Sequence, residues 1–302
     1  MPENQQPLYG SIPYITSLSE THSAAVTWVN AAHTFVSISD MNSGKYANFV
    51  SESGALELFV FSSSTAGNSN RVKKVQENLA TVSGFVPMPL LHMLGFHFCK
   101  WANVSADMIM ERNRNFTTYG FPIDVLWMDI EWSEQDSRPD GYQYFQFNAQ
   151  NFTESQIEQM NSEIEASHRR ITVIIDPHIK ASEDYFVYKN GMELQNSESP
   201  EGNLTSIFVR TPDYGTFYGD CWPGNSSYID FLNENAQNFW GQQFDYKNFK
   251  GSNYLYSIWN DMNEPSVFST STHTMPMDMV HWRANGKSFE HRDIHNAYGA
   301  LH

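Results

Sequence analysis

Cysteine is scarce in this sequence: Cys99 and Cys221 are its only two cysteines among 302 residues. A small domain held together by several disulfide bonds is therefore excluded, because such a framework needs several pairs of cysteines. We expect two buried thiols, with a single bridge between them as the alternative. Long apolar runs are also lacking, since the most apolar stretch, 85–98, is interrupted by two prolines and by His92. A bilayer-crossing helix needs about 18 consecutive apolar residues, so we expect no membrane span.

Basic residues are few as well: 18 Lys and Arg stand against 34 Asp and Glu, which gives a formal net charge of −16. A chain this acidic is repelled by phosphate backbones, so we do not expect nucleic acid as a partner. Hydrophobic residues make up 40% of the chain and aromatic residues 15%. This is enough for a large buried core, which excludes global disorder. The length allows about two domains of ~150 residues each.

The first part of the chain has the pattern of antiparallel β structure. Short segments rich in Val, Thr and aromatic residues at 24–30, 34–38 and 55–61 are separated by clusters of Gly, Ser and Asn. Such clusters mark turns between strands, so the pattern predicts an antiparallel sheet or a sandwich. A helix is predicted over 71–80, after a Ser- and Gly-rich loop at 62–70.

Beyond about residue 87, strand-like and helix-like segments alternate. We predict strands at 94–100, 124–131, 171–176 and 254–260, and helices at 105–119, 153–168, 227–244 and 292–301. Alternation of this kind predicts a parallel sheet with right-handed crossovers. Only about four strand–helix units are visible, whereas a closed barrel needs about eight, so we expect the first half of a barrel.

Acidic residues cluster where three of these strands end: Asp129 and Glu131, then Asp176, then Asp261 with Glu264. The carboxyl ends of parallel strands meet at one edge of the sheet, and active sites form there in barrel and open-sheet proteins. The recurrence at three strand ends predicts a functional site rather than scattered surface acids.

The most informative segment is 258–268, with the sequence IWNDMNEPSVF. Here a strand delivers Asp261 to its carboxyl end, beside Trp259 and near Glu264. A carboxylate that attacks the anomeric carbon of a sugar must be ionised, held rigidly and flanked by an aromatic ring that supports the sugar and excludes water. Residue types alone leave a second interpretation open, in which Asp261 caps the following turn.

This segment also resembles the nucleophile signature of glycoside hydrolase family 31, Trp-x-Asp-Met-Asn-Glu. Further strings in the family's order are 124–131 (DVLWMDIE), 176–180 (DPHIK), 221–224 (CWPG) and 291–296 (HRDIHN). The last three are most similar to the catalytic subunits that trim glucose from N-glycans in the endoplasmic reticulum. The resemblance covers nearly the whole chain. It implies a location in the lumen of the endoplasmic reticulum and a non-catalytic β subunit as partner.

The resemblance also implies the fold class and the domain organisation. The fold class is α/β, a (β/α)8 TIM barrel preceded by a β-sandwich domain. Residues 1–80 correspond to the C-terminal part of the N-terminal β-sandwich. Residues 81–302 correspond to the first half of the catalytic barrel, with an insertion at about 181–227.

Roles for individual residues follow from the same resemblance. Family 31 implies a retaining mechanism in which Asp261 is the nucleophile and forms a covalent glucosyl-enzyme, on an oligosaccharide with a terminal α-linked glucose. Asp129 is expected to hydrogen-bond sugar hydroxyls, with a strand-end turn cap as the alternative. The other implied substrate-binding residues are Ile130, Ile174, Trp222, Trp259, Met262 and Phe268, and the supporting residues are Glu264, Asp176 and His178. Ordinary packing is the alternative for the two tryptophans and for Met262. No cofactor is implied.

The acid/base aspartate of the family has no counterpart in this sequence. Glu264 is rejected for that role because it matches the glutamate of the motif, which we expect to orient its neighbours. We therefore expect the acid/base to lie beyond this chain, and the 302-residue chain alone to show no turnover. Two alternatives remain: a non-catalytic carbohydrate-binding protein or pseudo-enzyme, and another family 31 activity such as a lysosomal-type α-glucosidase or an α-xylosidase.

Histidines raise the question of a metal. His291 and His295 are four residues apart, so they could share one helix face. The zincin pattern has Glu at the second position, where this chain has Arg292. Because no third ligand is evident either, we expect no metal.

Overall fold

The structure is a computed structural model and describes residues 12–42, 44–63, 70–101, 104–135, 141–197 and 206–302. The chain divides into two compact units. The N-terminal unit comprises Pro7–Met88 and Arg292–Ala297, and the C-terminal unit includes Pro89–His291 and Tyr298–His302. None of the helices in the described ranges has the length and apolar character needed to cross a membrane. Most of the predicted loop at 62–70 and the centre of the predicted insertion, 198–205, lie outside the described residues.

The N-terminal unit is built on antiparallel strands. Its elements are β1 (Tyr14–Leu18), β2 (Ser23–Trp28), β3 (Thr34–Met41), β4 (Gly44–Ser51), β5 (Leu58–Ser63) and α1 (Arg71–Ser83). Strands β1, β2 and β5 form a three-stranded sheet, and β3 and β4 form a separate hairpin. Ala25 on β2, Phe61 on β5 and Val75 on α1 form a buried cluster. Alternation along β2 and β5 therefore turns one face of this sheet towards α1.

The C-terminal unit carries eleven further described strands and most of the helices. The strands are β6 (His97–Phe98), β7 (Val125–Met128), β8 (Ser133–Gln135), β9 (Tyr142–Phe147), β10 (Arg170–Ile175), β11 (His178–Lys180), β12 (Tyr218–Cys221), β13 (Gly224–Tyr228), β14 (Tyr256–Asn260), β15 (Val280–Trp282) and β16 (Ser288–Glu290). The helices are α2 (Ala106–Thr118), α3 (Glu154–Ala166), α4 (Phe186–Asn196), α5 (Glu234–Gln243), α6 (His291–Ile294), which continues into the N-terminal unit, and α7 (Tyr298–Leu301).

A four-stranded parallel sheet positions the predicted site. Its spatial order is β14-β10-β7-β6, and every neighbouring pair is parallel. The central strand β10 is buried on both faces: Ile171, Val173 and Ile175 are fully enclosed on one face, and Ile174 is 3% exposed on the other. This burial explains its near-continuous run of β-branched residues, which predicted a parallel strand.

Helix starts in the crossover segments follow local capping signals. The side chain of Ser105 accepts a hydrogen bond from the Met108 backbone N–H at the start of α2. Thr153 and Gln156 form a reciprocal capping box at the start of α3. These pairings satisfy backbone donors that an uncapped first turn leaves free. The helices predicted at 105–119 and 153–168 are therefore confirmed.

Three predicted elements differ from the structure. The helix predicted from residue 227 begins only at Glu234, because 224–228 is β13, which pairs on both sides with β11 and β12. Asn233 provides the N-cap through its side-chain oxygen. The strand predicted at 94–100 contracts to the two residues of β6, and the helix predicted at 292–301 is divided into α6, a 3₁₀ turn and α7.

Candidate active site

Three aspartates meet at the carboxyl edge of the parallel sheet. Asp129 follows β7, Asp176 follows β10 and Asp261 follows β14. In the register of the sheet Ile174 pairs with Trp259, and Ile175 pairs with Asn260, so Asp176 and Asp261 leave adjacent strands side by side. The structure therefore brings together the three strand-end acids that the sequence singled out.

Burial raises the pKa of Asp261, and a hydrogen bond from the Met262 backbone N–H opposes that rise. The neighbouring carboxylates Asp176, Glu264 and Asp129 raise the pKa further. A negative charge on Asp261 is thus held in place but is poorly compensated by its surroundings. Such a carboxylate favours bond formation to a centre that develops positive charge, as the anomeric carbon of a glycoside does.

Asp129 both caps a turn and faces the other acids. Its Oδ1 accepts a hydrogen bond of 2.7 Å from the Ile130 backbone N–H at the start of a 3₁₀ turn, Ile130–Trp132. Burial raises the pKa of Asp129, this hydrogen bond lowers it, and Asp176 raises it. In the same turn, burial raises the pKa of Glu131 to about 6, with a further contribution from Asp129.

Asp176 lies in a fully buried polar network. The Tyr144 hydroxyl donates to Asp176 Oδ2, and His178 Nε2 lies 3.4 Å from the same oxygen. Sequence reasoning assigned Asp176 and His178 a supporting place but missed Tyr144. The aromatic-rich segment 142–147, YQYFQF, indicates a strand, but its local pattern does not single out Tyr144.

Two close aromatic pairs include the predicted sugar-binding residues Trp259, Trp222 and Phe268. The Trp127 and Trp259 rings lie 5.1 Å apart, and Trp222 meets Phe268 edge-on at 4.9 Å. Trp222 and Phe268 are 42% and 39% exposed, so both retain accessible ring surface. Exposed aromatic faces suit the C–H surface of a pyranose.

A cavity of about 280 Å³ is lined by residues of β6, β7, β10 and β14, and none of the three aspartates lines it. Trp127, Thr172 and Ser257 occupy one level of the register beneath it, and Trp259 lies one level nearer the carboxyl edge. The predicted wall residue Ile174 is almost fully buried, as is Ile130, so both lie behind the accessible surface.

The turn after Asp261 is tightly packed. Met262 adopts a left-handed backbone conformation with φ of 56°, and its carbonyl accepts a hydrogen bond from the Ser266 N–H. Glu264 is half-buried, and its Oε2 has no hydrogen-bond partner among the described residues. Asn263 Nδ2 donates to the Gly299 carbonyl at 3.2 Å. The motif thus forms a compact turn that fixes the carboxylate at its start.

The cysteines and histidines occupy other places. Cys221 is buried but Cys99 is exposed, and both are free thiols, so the expectation of two buried thiols was wrong for Cys99. Cys99 follows the edge strand β6 directly and lacks the cover that a longer strand would receive.

His291 belongs to a buried series of side-chain contacts. Asp230 lies 2.7 Å from His281 Nδ1, and His281 Nε2 lies 2.9 Å from His291 Nδ1.

In the N-terminal unit, the His295 ring meets His33 edge-on at 4.3 Å. Within the described part of the chain, no group of three or more His, Cys, Asp or Glu side chains could hold a metal ion.

Comparisons with known proteins find relatives along nearly the whole chain. Neutral alpha-glucosidase AB of Dictyostelium discoideum is 35% identical over 97% of this chain and 28% of that protein. Glucosidase 2 subunit alpha of Schizosaccharomyces pombe is 32% identical over 96% of this chain and 29% of that protein. The Tris-bound crystal structure of glucosidase II alpha subunit superposes with a TM-score of 0.84 at 34% identity, covering 97% of this chain and 30% of that chain.

A similar match is a heterodimeric ER glucosidase II complex, whose catalytic subunit was solved with the binding domain of its regulatory subunit; its TM-score is 0.83. The chain spans less than a third of the length of these relatives. Residues 86–302 match the glycosyl hydrolases family 31 TIM-barrel domain. Because this match extends over well more than half of the sequence, the chain belongs to glycoside hydrolase family 31.

Proposed function

We propose that this chain carries the nucleophile of a retaining α-glucosidase that removes terminal α-linked glucose from an oligosaccharide. The observation that carries the proposal is the position of Asp261. It directly follows β14, within the Trp-Asn-Asp-Met-Asn-Glu string. It lies beside Asp176 and close enough to Asp129 for the two charges to interact. In this mechanism an Asp261 oxygen bonds to C1 of glucose while the bond from C1 to the leaving oxygen breaks.

The leaving oxygen must take up a proton from a second acid, which in retaining enzymes lies about 5–5.5 Å from the nucleophile. Asp129 is engaged by the Ile130 N–H, and Asp176 is fully enclosed by protein. We propose that the acid/base comes from outside these 302 residues, and that the chain alone does not turn over alkyl glucosides.

The substrate and the partner are part of the same proposal. We propose N-glycan glucose trimming in the lumen of the endoplasmic reticulum, together with a non-catalytic β subunit. The support is similarity to the glucosidase II alpha subunits, one of which was solved with part of a regulatory subunit. Asp129 and the rings of Trp222, Trp259 and Phe268 are proposed to line the glucose site, with Ile130, Ile174 and Met262 around them.

Labelling with 5-fluoro-α-glucosyl fluoride tests the nucleophile in the chain as it stands. The C1–F bond breaks, fluoride leaves with the electron pair and needs no proton, and Asp261 forms the new bond to C1. We expect a stable adduct that peptide mapping assigns to Asp261, and no adduct with Asp261→Asn. An adduct on another residue would contradict the proposal. Glucose binding without any adduct would instead favour the carbohydrate-binding alternative.

A further inference from the structure

Asp176 is the most enclosed of the three strand-end aspartates. It is fully buried, whereas Asp129 and Asp261 are half-buried. A buried carboxylate keeps its charge only if it is paired and hydrogen-bonded. Asp176 is also one of the groups that raise the pKa of Asp261. Whatever holds the charge of Asp176 therefore also acts on Asp261.

Two side chains converge on one oxygen of this carboxylate. The Tyr144 hydroxyl donates to Asp176 Oδ2, and His178 Nε2 lies 3.4 Å from that oxygen. His178 Nε2 also lies 3.1 Å from the Tyr144 hydroxyl oxygen, so the three side chains form a closed triangle. The other oxygen, Oδ1, is buried without a hydrogen-bond partner among the described residues.

The surrounding strands fix this triangle. His178 pairs with Tyr228 between β11 and β13, and the Tyr228 hydroxyl donates to the Ser266 carbonyl at 2.7 Å, just after the nucleophile motif. The Tyr185 hydroxyl donates to the Tyr144 carbonyl at 2.8 Å. Tyr144 and His178 are therefore held in place by contacts that do not involve Asp176.

His178 supplies the charge that compensates the carboxylate. Burial opposes a charged imidazole, but Cys221 and Asp176 favour it more strongly and raise the pKa of His178 to about 10. The direction of this shift favours an imidazolium beside the Asp176 carboxylate, with Cys221 as the strongest favourable neighbour. The other titratable groups that face the pair are Tyr144, Tyr228, Asp129, Asp261 and His302.

We propose that Tyr144 and His178 are positioning residues for the reaction: they clamp Asp176 Oδ2 and so keep a fixed negative charge beside Asp261. This inference rests on the proposed function. The fixed charge stabilises the positive charge that develops on the sugar ring, and its orientation is set before substrate arrives. Without the imidazolium, only the Tyr144 hydroxyl holds the buried Asp176 carboxylate.

The test is the pH dependence of labelling by 5-fluoro-α-glucosyl fluoride. We expect His178→Gln and Tyr144→Phe to lower the second-order rate constant about 10- to 100-fold. We also expect the acidic limb of the profile to move to lower pH in Asp176→Asn, because Asp261 loses a like-charged neighbour. In His178→Gln we expect it to move to higher pH, because the charge of Asp176 is then less compensated. A merely structural role would lower the rate without moving the limb, and that result would overturn the proposal.

A matched control is Tyr256→Phe. The Tyr256 hydroxyl bonds to Asn161 Oδ1 at 2.8 Å, so this variant also deletes one tyrosine hydroxyl in the same unit without touching Asp176. We expect its labelling rate and the pH of its acidic limb to match those of the wild type. Equal losses in Tyr256→Phe and Tyr144→Phe would overturn the positioning role.

The inference can fail separately from the proposed function. If the wild-type chain is labelled at Asp261 but the limb does not move in the variants, only the positioning role is wrong. If the wild-type chain is not labelled, the proposed function fails. NMR titration of the His178 ring then tests whether Tyr144 and His178 hold Asp176 Oδ2. We expect its pKa to fall in Asp176→Asn and Tyr144→Phe; an unchanged titration would overturn the clamp.

Discussion

Gly299 and Asn263 approach so closely that a Cβ atom on Gly299 would lie 2.6 Å from the Asn263 carbonyl oxygen. The Gly299 carbonyl also accepts the hydrogen bond from Asn263 Nδ2. Helix α7 therefore supports the turn that follows Asp261 through a contact that only glycine permits, because backbone atoms on the turn cannot move aside as a flexible side chain would.

Replacing this glycine gives the first prediction. Gly299→Ala is expected to displace the 262–264 turn, to destabilise the C-terminal unit by about 1–3 kcal/mol and to slow labelling of Asp261. Gly241→Ala is the matched control, since Gly241 lies in α5 with no atom within 4 Å of an added Cβ. The control should stabilise by about 0.5–1 kcal/mol. Chemical denaturation measures both, and equal stability of the two variants would contradict the contact.

The second prediction concerns the Asp176–His178 pair and stability at high pH. Folding raises the pKa of His178 from about 6.5 to about 10. The stability that Cys221 and Asp176 contribute by raising this pKa is therefore fully present below about pH 6.5 and is lost as pH rises towards 10. We expect the difference in unfolding free energy between wild type and His178→Gln to shrink between pH 6 and pH 10.

Exposed His273 provides the control for this comparison. The same pH series with His273→Asn shows how much of the change follows from replacing any imidazole. A constant difference for His178→Gln would mean that the imidazole carries no charge in the folded protein.

The third prediction concerns Glu131, whose folded pKa of about 6 lies above the usual 4.5. A raised carboxyl pKa destabilises the folded state as pH rises from about 4.5 through 6. The full shift is worth about 2 kcal/mol, and partial exposure reduces this to about 1 kcal/mol. Glu131→Gln should therefore stabilise by about 1 kcal/mol at pH 7.5 and lose that advantage at pH 4. Exposed Glu158→Gln should show neither effect in the same denaturation series.

The fourth prediction concerns Trp222, which packs edge-on against Phe268 and keeps 42% of its surface exposed. If its ring supports a sugar, Trp222→Ala should weaken glucoside binding about 10-fold while changing stability little. Tyr119→Ala is the control, because Tyr119 is 74% exposed and lies at the C-cap of α2, where the chain returns towards the amino end of β7. Calorimetric titration with an α-linked disaccharide measures both; equal affinities would remove Trp222 from the sugar site.

Sequence patterns predicted those parts of the site that depend on local order. The strand that precedes Asp176 was predicted because a strand buried on both faces needs a run of β-branched residues. Asp176 follows that run directly in the sequence. The helix at 154–166 was visible because its capping box lies within four residues.

Contacts across large sequence separations escaped the same reasoning. Tyr144 reaches Asp176 across 32 residues, and no local pattern shows which hydroxyl will meet which carboxylate. The false helix start at Ser227 has a similar cause. Ser-Ser-Tyr-Ile-Asp is a plausible helix start in isolation, but ladders on both sides of β13 decide for a strand. Tertiary pairing outweighed local propensity there.

The two indoles of Trp127 and Trp259 stand on strands that do not pair with each other, and they meet over the intervening strand β10 at Thr172. Their separation of 5.1 Å at an interplanar angle of 52° is close enough for their electronic transitions to couple. Because the strong indole transition lies in the far-ultraviolet, we expect the circular dichroism of this chain in that range to carry a contribution that depends on how β7 and β14 are aligned next to the strand-end acids.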